Sequence, residues 1–393
     1  MPRFKAVKCG RGKCFDIAVA AALTALLLAL AVLGPACGGK TETPVSFDQA
    51  TIDAMEQAVR DVLNKDAIPG AIVGVKVSGR GEWTAALGLA DRETGEEIRA
   101  TDLMRIGSVT KSFTATLVLE LVDEGRLGLD DPLADFFPWV ENAQNVTVRM
   151  LLNHTSGIVD DYQNPAFWDI ASTDPLYKWQ PEELVKASMG TKPGVVLGAD
   201  NNYSNSNYVL LGMIVEQVTG KKLAEAMEEY VFGPLGLSET VFPEGPEFLG
   251  EHSHSYVLVG EDCEFLDMTS GIDPSITWAA GANISALEDM KVWTRALGTG
   301  ELLTEETQEE RLQWVDVPGL EGAGVGYQYG LGILKLGDFI GHNGEFSGFQ
   351  ASAFYLPSED ATFVVMVNSN ANPSGSQDIF LAIAAILFPD EVP

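Results

Sequence analysis

Gly107-Ser108-Val109-Thr110-Lys111-Ser112-Phe113 is the stretch on which the reading of this 393-residue chain turns. Phe113, Leu117, Leu121 and Val122 carry the pattern on at helical spacing, which puts Ser108 at a helix start. Lys111, three residues on, then lies on the same face one turn later. A serine hydroxyl is a poor nucleophile until a base takes its proton. A lysine can be that base only when its own pKa falls, through desolvation and the positive end of a helix dipole. The bland alternative is a capping serine followed by a lysine that reaches to solvent, and the fragment alone does not choose. It is the only Ser-x-x-Lys in the chain.

Two further groups stand downstream. Tyr203-Ser204-Asn205 sits on an Asn-rich loop before an apolar helix over 208–218. A phenol there can relay a proton to a leaving group, and an amide can orient a substrate. Tyr162-Gln163-Asn164 has the same form, so the pattern leaves both open. Gly341-His342-Asn343-Gly344 opens an expected strand, where glycine lets backbone approach a ligand closely. The N–H just beyond, at Glu345, can pair with that of Ser108 as an oxyanion hole. Lys335-Leu336-Gly337 and Lys192-Pro193-Gly194 are rivals that lack the glycine-flanked entry into a strand.

Outward from these motifs the chain divides by hydrophobic period. Asp48 can cap a helix whose inner face carries Ile52, Met55, Val59 and Val62. Strand-like runs cover 70–77 and 82–89, joined by the hairpin signal Ser78-Gly79-Arg80-Gly81. The far end mirrors this, with strand runs at 329–336, 346–356 and 361–367. A last helix over 377–388 aligns Ile379, Phe380, Ile383 and Leu387. Between them the helical period dominates. The expected class is α+β, an antiparallel sheet from both ends, flanked by terminal helices, with an inserted all-helical domain. The boundaries read as 48–111 and 298–393 for the sheet domain and 112–297 for the helical one. Trp168, Tyr177 and Trp179 are read as packing loops down rather than lining a cleft.

A formal net charge of −31 argues against nucleic acid, which demands a basic face, and against attraction to anionic lipid. Residues 1–36 read as an export signal, with Arg3, Lys5, Lys8, Arg11 and Lys13 ahead of an apolar run over 17–33. Gly34-Pro35-Ala36-Cys37 is similar to the lipobox of bacterial lipoproteins, which makes Cys37 the expected lipidation site and 37–47 a linker. Cys9 and Cys14 leave with the signal. Cys263 then has no partner, so no disulfide framework is expected. The expected location is the cell envelope or periplasm, with membrane contact only through the lipid.

In order and spacing the motifs resemble the serine β-lactamase and penicillin-binding-protein superfamily, nearest its class C β-lactamase, DD-peptidase and esterase branch. That family carries Ser-x-x-Lys, then Tyr-x-Asn, then Lys/His-x-Gly, and its spacing selects Tyr203 over Tyr162. Leu151-Leu152-Asn153-His154-Thr155-Ser156-Gly157-Ile158 also looks like a recurring family segment, and the resemblance spans about residues 48–390. It implies a β-lactamase/transpeptidase-like fold that uses neither metal nor cofactor. Carried over, Ser108 forms an acyl-enzyme, Lys111 and Tyr203 share base and acid duty, and Asn205 positions the substrate amide. His342 and Asn343 face the substrate's carboxylate end. The N–H groups of Ser108 and Glu345, beside Gly344, hold the oxyanion, and His154 is structural. His342 stands where strong β-lactamases have lysine, and no Glu-x-x-Leu-Asn follows Tyr203. The implied activity is a D-alanyl-D-alanine carboxypeptidase-like peptidase acting on a peptidoglycan-type peptide. The alternatives are an esterase or weak class C-type β-lactamase, and a penicillin-binding sensor that acylates without turnover.

Overall fold

Asp48 does what its position suggests: its carboxylate accepts the Thr51 N–H at 2.9 Å and starts helix α1, Gln49–Asp66. The computed structural model describes residues 46–189, 202–260, 264–322 and 325–392. The signal segment, Cys37, Lys192 and Cys263 lie outside the described residues, as does most of the 37–47 linker.

The sheet draws on both ends of the chain. From the first part come β1 (Gly70–Val77), β2 (Gly81–Asp91) and β3 (Glu96–Glu97). From the last come β4 (Val315–Gly322), β5 (Val325–Tyr329), β6 (Leu334–Leu336), β7 (Phe339–Phe346), β8 (Phe349–Leu356) and β9 (Ala361–Val367). They order as β3-β2-β1-β9-β8-β7-β6-β5-β4, with neighbours antiparallel. The first and last long strands close the sheet together, Ala71 opposite Val367 through Val77 opposite Ala361.

Both faces of these central strands are buried, and strand alternation sorts their side chains. Val73, Val75, Phe363, Val365 and Phe354 face α1 and the C-terminal helix over Gly375–Leu387, where Phe380 stacks on Phe354. Ile72, Val364, Met366, Ala351 and Ala353 face the inserted segment. Two helices of that segment carry the site: α2 (Thr110–Asp123) and α3 (Asn205–Thr219).

The sheet's far half departs from the sequence reading. The run 329–336 is split: β5 ends at Tyr329, a turn with Gly332 at φ +76° reverses the chain, and Leu334 pairs back with Tyr329. The run 346–356 hides a reversal at Ser347 and Gly348, at φ +46° and +96°, and only its second part is β8. His342, Asn343 and Gly344 therefore lie inside β7 rather than at its start. The inserted segment is not all helical, since Tyr256–Val259 and Glu264–Asp267 pair as a hairpin. The helix α4 (Leu287–Thr299) packs on β1, β8 and β9, so the sheet layer begins before residue 298. Its apolar face, with Leu287, Met290, Trp293 and Leu297, forces this arrangement, and Trp293 stacks on Phe113 of α2 at 3.8 Å.

Candidate active site

Ser108 occupies the tight turn Gly107–Val109 that leads into α2. Gly107 is at φ +52°, and a Cβ there would lie 2.5 Å from the backbone N and O of Glu345. A Cβ on Gly344 would lie 2.1 Å from Ile106 O and 2.6 Å from Ser108 N. Two glycines thus let β7 lie directly on the nucleophile turn. β6 pairs with β7 only as far as Gly341, so the part of β7 beyond is free of β6 and meets the turn. The backbone of Glu345 is brought beside that of Ser108, the arrangement an oxyanion site requires.

Lys111 cannot reach solvent, because its whole side chain is buried in a helix whose residues from Thr110 to Leu119 are all buried. Its Nζ lies 3.0 Å from Ser108 Oγ, 2.7 Å from Asn205 Oδ1 and 2.8 Å from Ala280 O. The last two oxygens can only accept. A neutral amine has two hydrogens to give them, and its lone pair is left for the Ser108 hydroxyl. Burial lowers the Lys111 pKa to about 7, against the pull of Asp160 and Asp161. Ala280 is held in place by its neighbours: Thr114 Oγ1 donates to Ala279 O at 2.7 Å, and the Asn283 N–H donates to Thr110 Oγ1 at 3.1 Å.

Tyr203 sits over the same amine, its ring centroid 4.8 Å from Lys111 Nζ. Burial raises its pKa far above the usual phenol value, while its hydrogen bond with Ser108 acts the other way. The phenol therefore keeps its proton while Lys111 can lose one. His154 braces this turn as the resemblance implies. It is buried, held neutral by burial, at φ +62°, with its ring 4.3 Å from that of Tyr203. Its Nδ1 accepts the Ser204 N–H at 3.2 Å and lies 3.2 Å from Asn207 Nδ2.

Asn205 opens α3 and faces two ways, with Oδ1 toward Lys111 and Nδ2 3.4 Å from each carboxylate oxygen of Asp160. His342 is held deep in the protein and without charge. Its ring is 1% exposed, Nε2 lies 2.9 Å from Tyr329 Oη, and burial plus the charge of Lys111 lowers its pKa to about 3. It is a neutral, buried group rather than a fixed charge available to a substrate carboxylate. Asn343, Gly344 and Glu345 are half-buried on the free part of β7. The Glu345 carboxyl accepts from Asn370 Nδ2 at 3.2 Å and is raised by burial.

Sequence reasoning missed Asp160, Asp161, Tyr329 and the Ala280 carbonyl. No spacing rule marks them, because each reaches the site from a different part of the chain. Two of the rival motifs have ordinary roles. Asn164 caps the helix Pro165–Thr173 through the Ala166 N–H at 2.9 Å. Lys335 lies on β6 near Trp314. Trp179 stacks on Phe167 at 4.8 Å, as expected of a residue packing its loop down.

Comparison with known proteins agrees with this geometry. A family model described as Beta-lactamase matches residues 54–387. The chain is 34% identical over 200 residues to penicillin-binding protein 4 of Amycolatopsis lactamdurans, covering 50% of this chain and 49% of that protein, so the match spans about half of that relative. It is 25% identical over 342 residues to a D-aminopeptidase of Cereibacter sphaeroides, covering 85% of this chain and 63% of that protein. Among solved structures it superposes with TM-score 0.76 on a D-stereospecific amidohydrolase from Streptomyces sp., at 32% identity over 86% of this chain and 98% of that one. The fold, the motif order and these relatives agree: the chain belongs to the beta-lactamase family, within the serine β-lactamase and penicillin-binding-protein superfamily.

Proposed function

We propose that this protein is a serine amidohydrolase acting on amides of D-amino acids through an acyl-enzyme on Ser108. The observation that carries the reading is the placing of Lys111 Nζ, 3.0 Å from Ser108 Oγ with two pure acceptors on its other sides. The neutral amine then has hydrogens for those two and a lone pair for Ser108. In this mechanism Ser108 Oγ attacks the amide carbon as its proton passes to Lys111. The resulting oxyanion lies against the N–H groups of Ser108 and Glu345. The proton then moves from Lys111 through the Tyr203 hydroxyl to the leaving nitrogen, and the C–N bond breaks. Water attacks the ester carbon, gives a proton back along the same route, and Ser108 leaves as the hydroxyl.

The substrate side of the proposal follows from His342. A terminal-carboxylate peptidase needs a cation for the departing D-alanine carboxylate, and the neutral, buried imidazole is a poor one. Similarity to a D-aminopeptidase and a D-stereospecific amidohydrolase supports the acyl side being a D-residue. This favours an uncharged amide leaving group over the D-Ala-D-Ala terminus. Export and anchoring through Cys37 are part of the same proposal, supported by the lipobox-like sequence.

The test compares ammonia release from D-alaninamide with D-alanine release from a diacetyl-L-lysyl-D-Ala-D-Ala peptide. The amide is expected to have the higher kcat/KM. A faster carboxypeptidase reaction would overturn the substrate assignment and restore the DD-peptidase reading.

A further inference from the structure

We propose that Asp160 receives the free α-ammonium of the substrate and so sets a preference for aminoacyl over N-acylated substrates. The inference rests on the amidohydrolase reading above and adds a recognition element on the acyl side of the scissile bond.

Asp160 begins the turn Asp161–Gln163 at the edge of the site and is half-exposed. Its Oδ1 accepts the Tyr162 N–H at 3.1 Å, and both oxygens lie 3.4 Å from Asn205 Nδ2. Those contacts to Asn205 are long, and neither partner is charged. Among the described residues no lysine, arginine or histidine forms an ion pair with it.

Its surroundings do not neutralise it either. Asp161 is fully buried, with Oδ1 3.3 Å from Ser206 Oγ and its N–H donated to the same hydroxyl at 3.1 Å. Burial, with the Asp160 carboxylate beside it, pushes the Asp161 carboxyl well above the usual carboxylate range. Of the two carboxyls, only the half-exposed Asp160 can be reached by a ligand. His342 is neutral, and Lys111 is neutral when it is competent as a base.

Geometry connects this anion to the reacting bond. Asn205 touches Lys111 on one side and Asp160 on the other, and Lys111 touches Ser108. With the substrate carbonyl at Ser108 and its oxygen toward the N–H groups of Ser108 and Glu345, the α-substituents lie along Asn205. An ammonium on that carbon then meets the Asp160 carboxylate and forms a charge-assisted hydrogen bond. An N-acetyl group presents one uncharged N–H in the same place and gains far less.

The experiment measures kcat/KM of the full chain for D-phenylalanine p-nitroanilide and for its N-acetyl derivative, in the wild type, Asp160→Asn and Asp160→Glu. The wild type is expected to prefer the free amine. In Asp160→Asn the ratio of the two constants falls by about 10–100-fold, the range of one hydrogen bond to a charged group. Asp160→Glu keeps most of the preference. Because both substrates use Asn205 and Lys111, any general damage to the site cancels in the ratio. An equal loss on both substrates, or no loss, would overturn the proposal while leaving the amidohydrolase reading intact. Failure of the wild type to cleave either anilide, with p-nitrophenyl acetate still hydrolysed, would overturn that reading and this proposal with it.

Discussion

Replacing Lys111 with methionine is expected to lower kcat/KM by about 10²–10⁴-fold, the contribution of a positioned general base. Methionine keeps the length and apolar volume of the lysine stem, so the packing of α2 is largely conserved. What is lost is the nitrogen that faces Ser108 Oγ at 3.0 Å. Asn205 Oδ1 and Ala280 O lose a donor as well, which weakens the fold at this point without removing the α2 core. The same variant tests the direction of the Lys111 pKa shift. A base must be unprotonated, so wild-type kcat/KM should rise with pH and level off above about 7, where burial has placed the lysine. Below that value activity falls as Lys111 takes up a proton. The residual activity of the methionine variant should lack this limb. A pH profile of both proteins, read with circular dichroism as a check on folding, decides the point. An unchanged acidic limb in the variant would show that another group titrates.

Gly344→Ala is expected to lower kcat by about 10²–10³-fold, the loss associated with one oxyanion donor. The added Cβ would sit 2.1 Å from Ile106 O and 2.6 Å from Ser108 N, and both neighbours are backbone atoms with no side chain to swing aside. Strand β7 must then withdraw from the nucleophile turn, and the N–H of Glu345 moves away from that of Ser108. Because the donors act on charge that develops in the transition state, kcat should suffer more than KM. Steady-state kinetics on a p-nitrophenyl ester separates the two. Near-normal kcat in a folded variant would mean that the two N–H groups do not act as a pair.

The sequence was most informative where local chemistry and tertiary context agree. The hairpin of β1 and β2 announces itself through alternating apolar residues and the Gly-rich turn at 78–81. Asp48 and the apolar stripe of α1 place the start of that helix. β7 was harder, because its functional half is polar and glycine-rich, and the sequence reading starts the strand at Gly341 where the structure has already begun it at Phe339. The reversal at Ser347 and Gly348 was hidden because apolar residues flank it on both sides.

The same division holds in the site. Ser108, Lys111, Tyr203 and Asn205 were legible because their chemistry is tied to motifs, and the structure brings them together around one amine. His342 was legible as a motif but not in its role. Burial and the charge of Lys111 keep it neutral, and only the folded sheet places Tyr329 beside it. Asp160 and Asp161 had no sequence signal at all. Their connection to Asn205 and Ser206 depends on how the loop after His154 folds back onto α3. The choice between Lys111 and Tyr203 as base was likewise closed to sequence, since it depends on burial moving one pKa down and the other up.

The most direct test of the central claim is to trap the covalent intermediate. The full chain is mixed with D-alanine p-nitrophenyl ester, quenched in acid during turnover, digested and weighed by mass spectrometry, with Ser108→Ala treated in parallel. The account predicts a D-alanyl mass increment on the peptide bearing Ser108 in the wild type, and neither increment nor turnover in the variant. An adduct on another residue, or ester hydrolysis by Ser108→Ala at the wild-type rate, would contradict it.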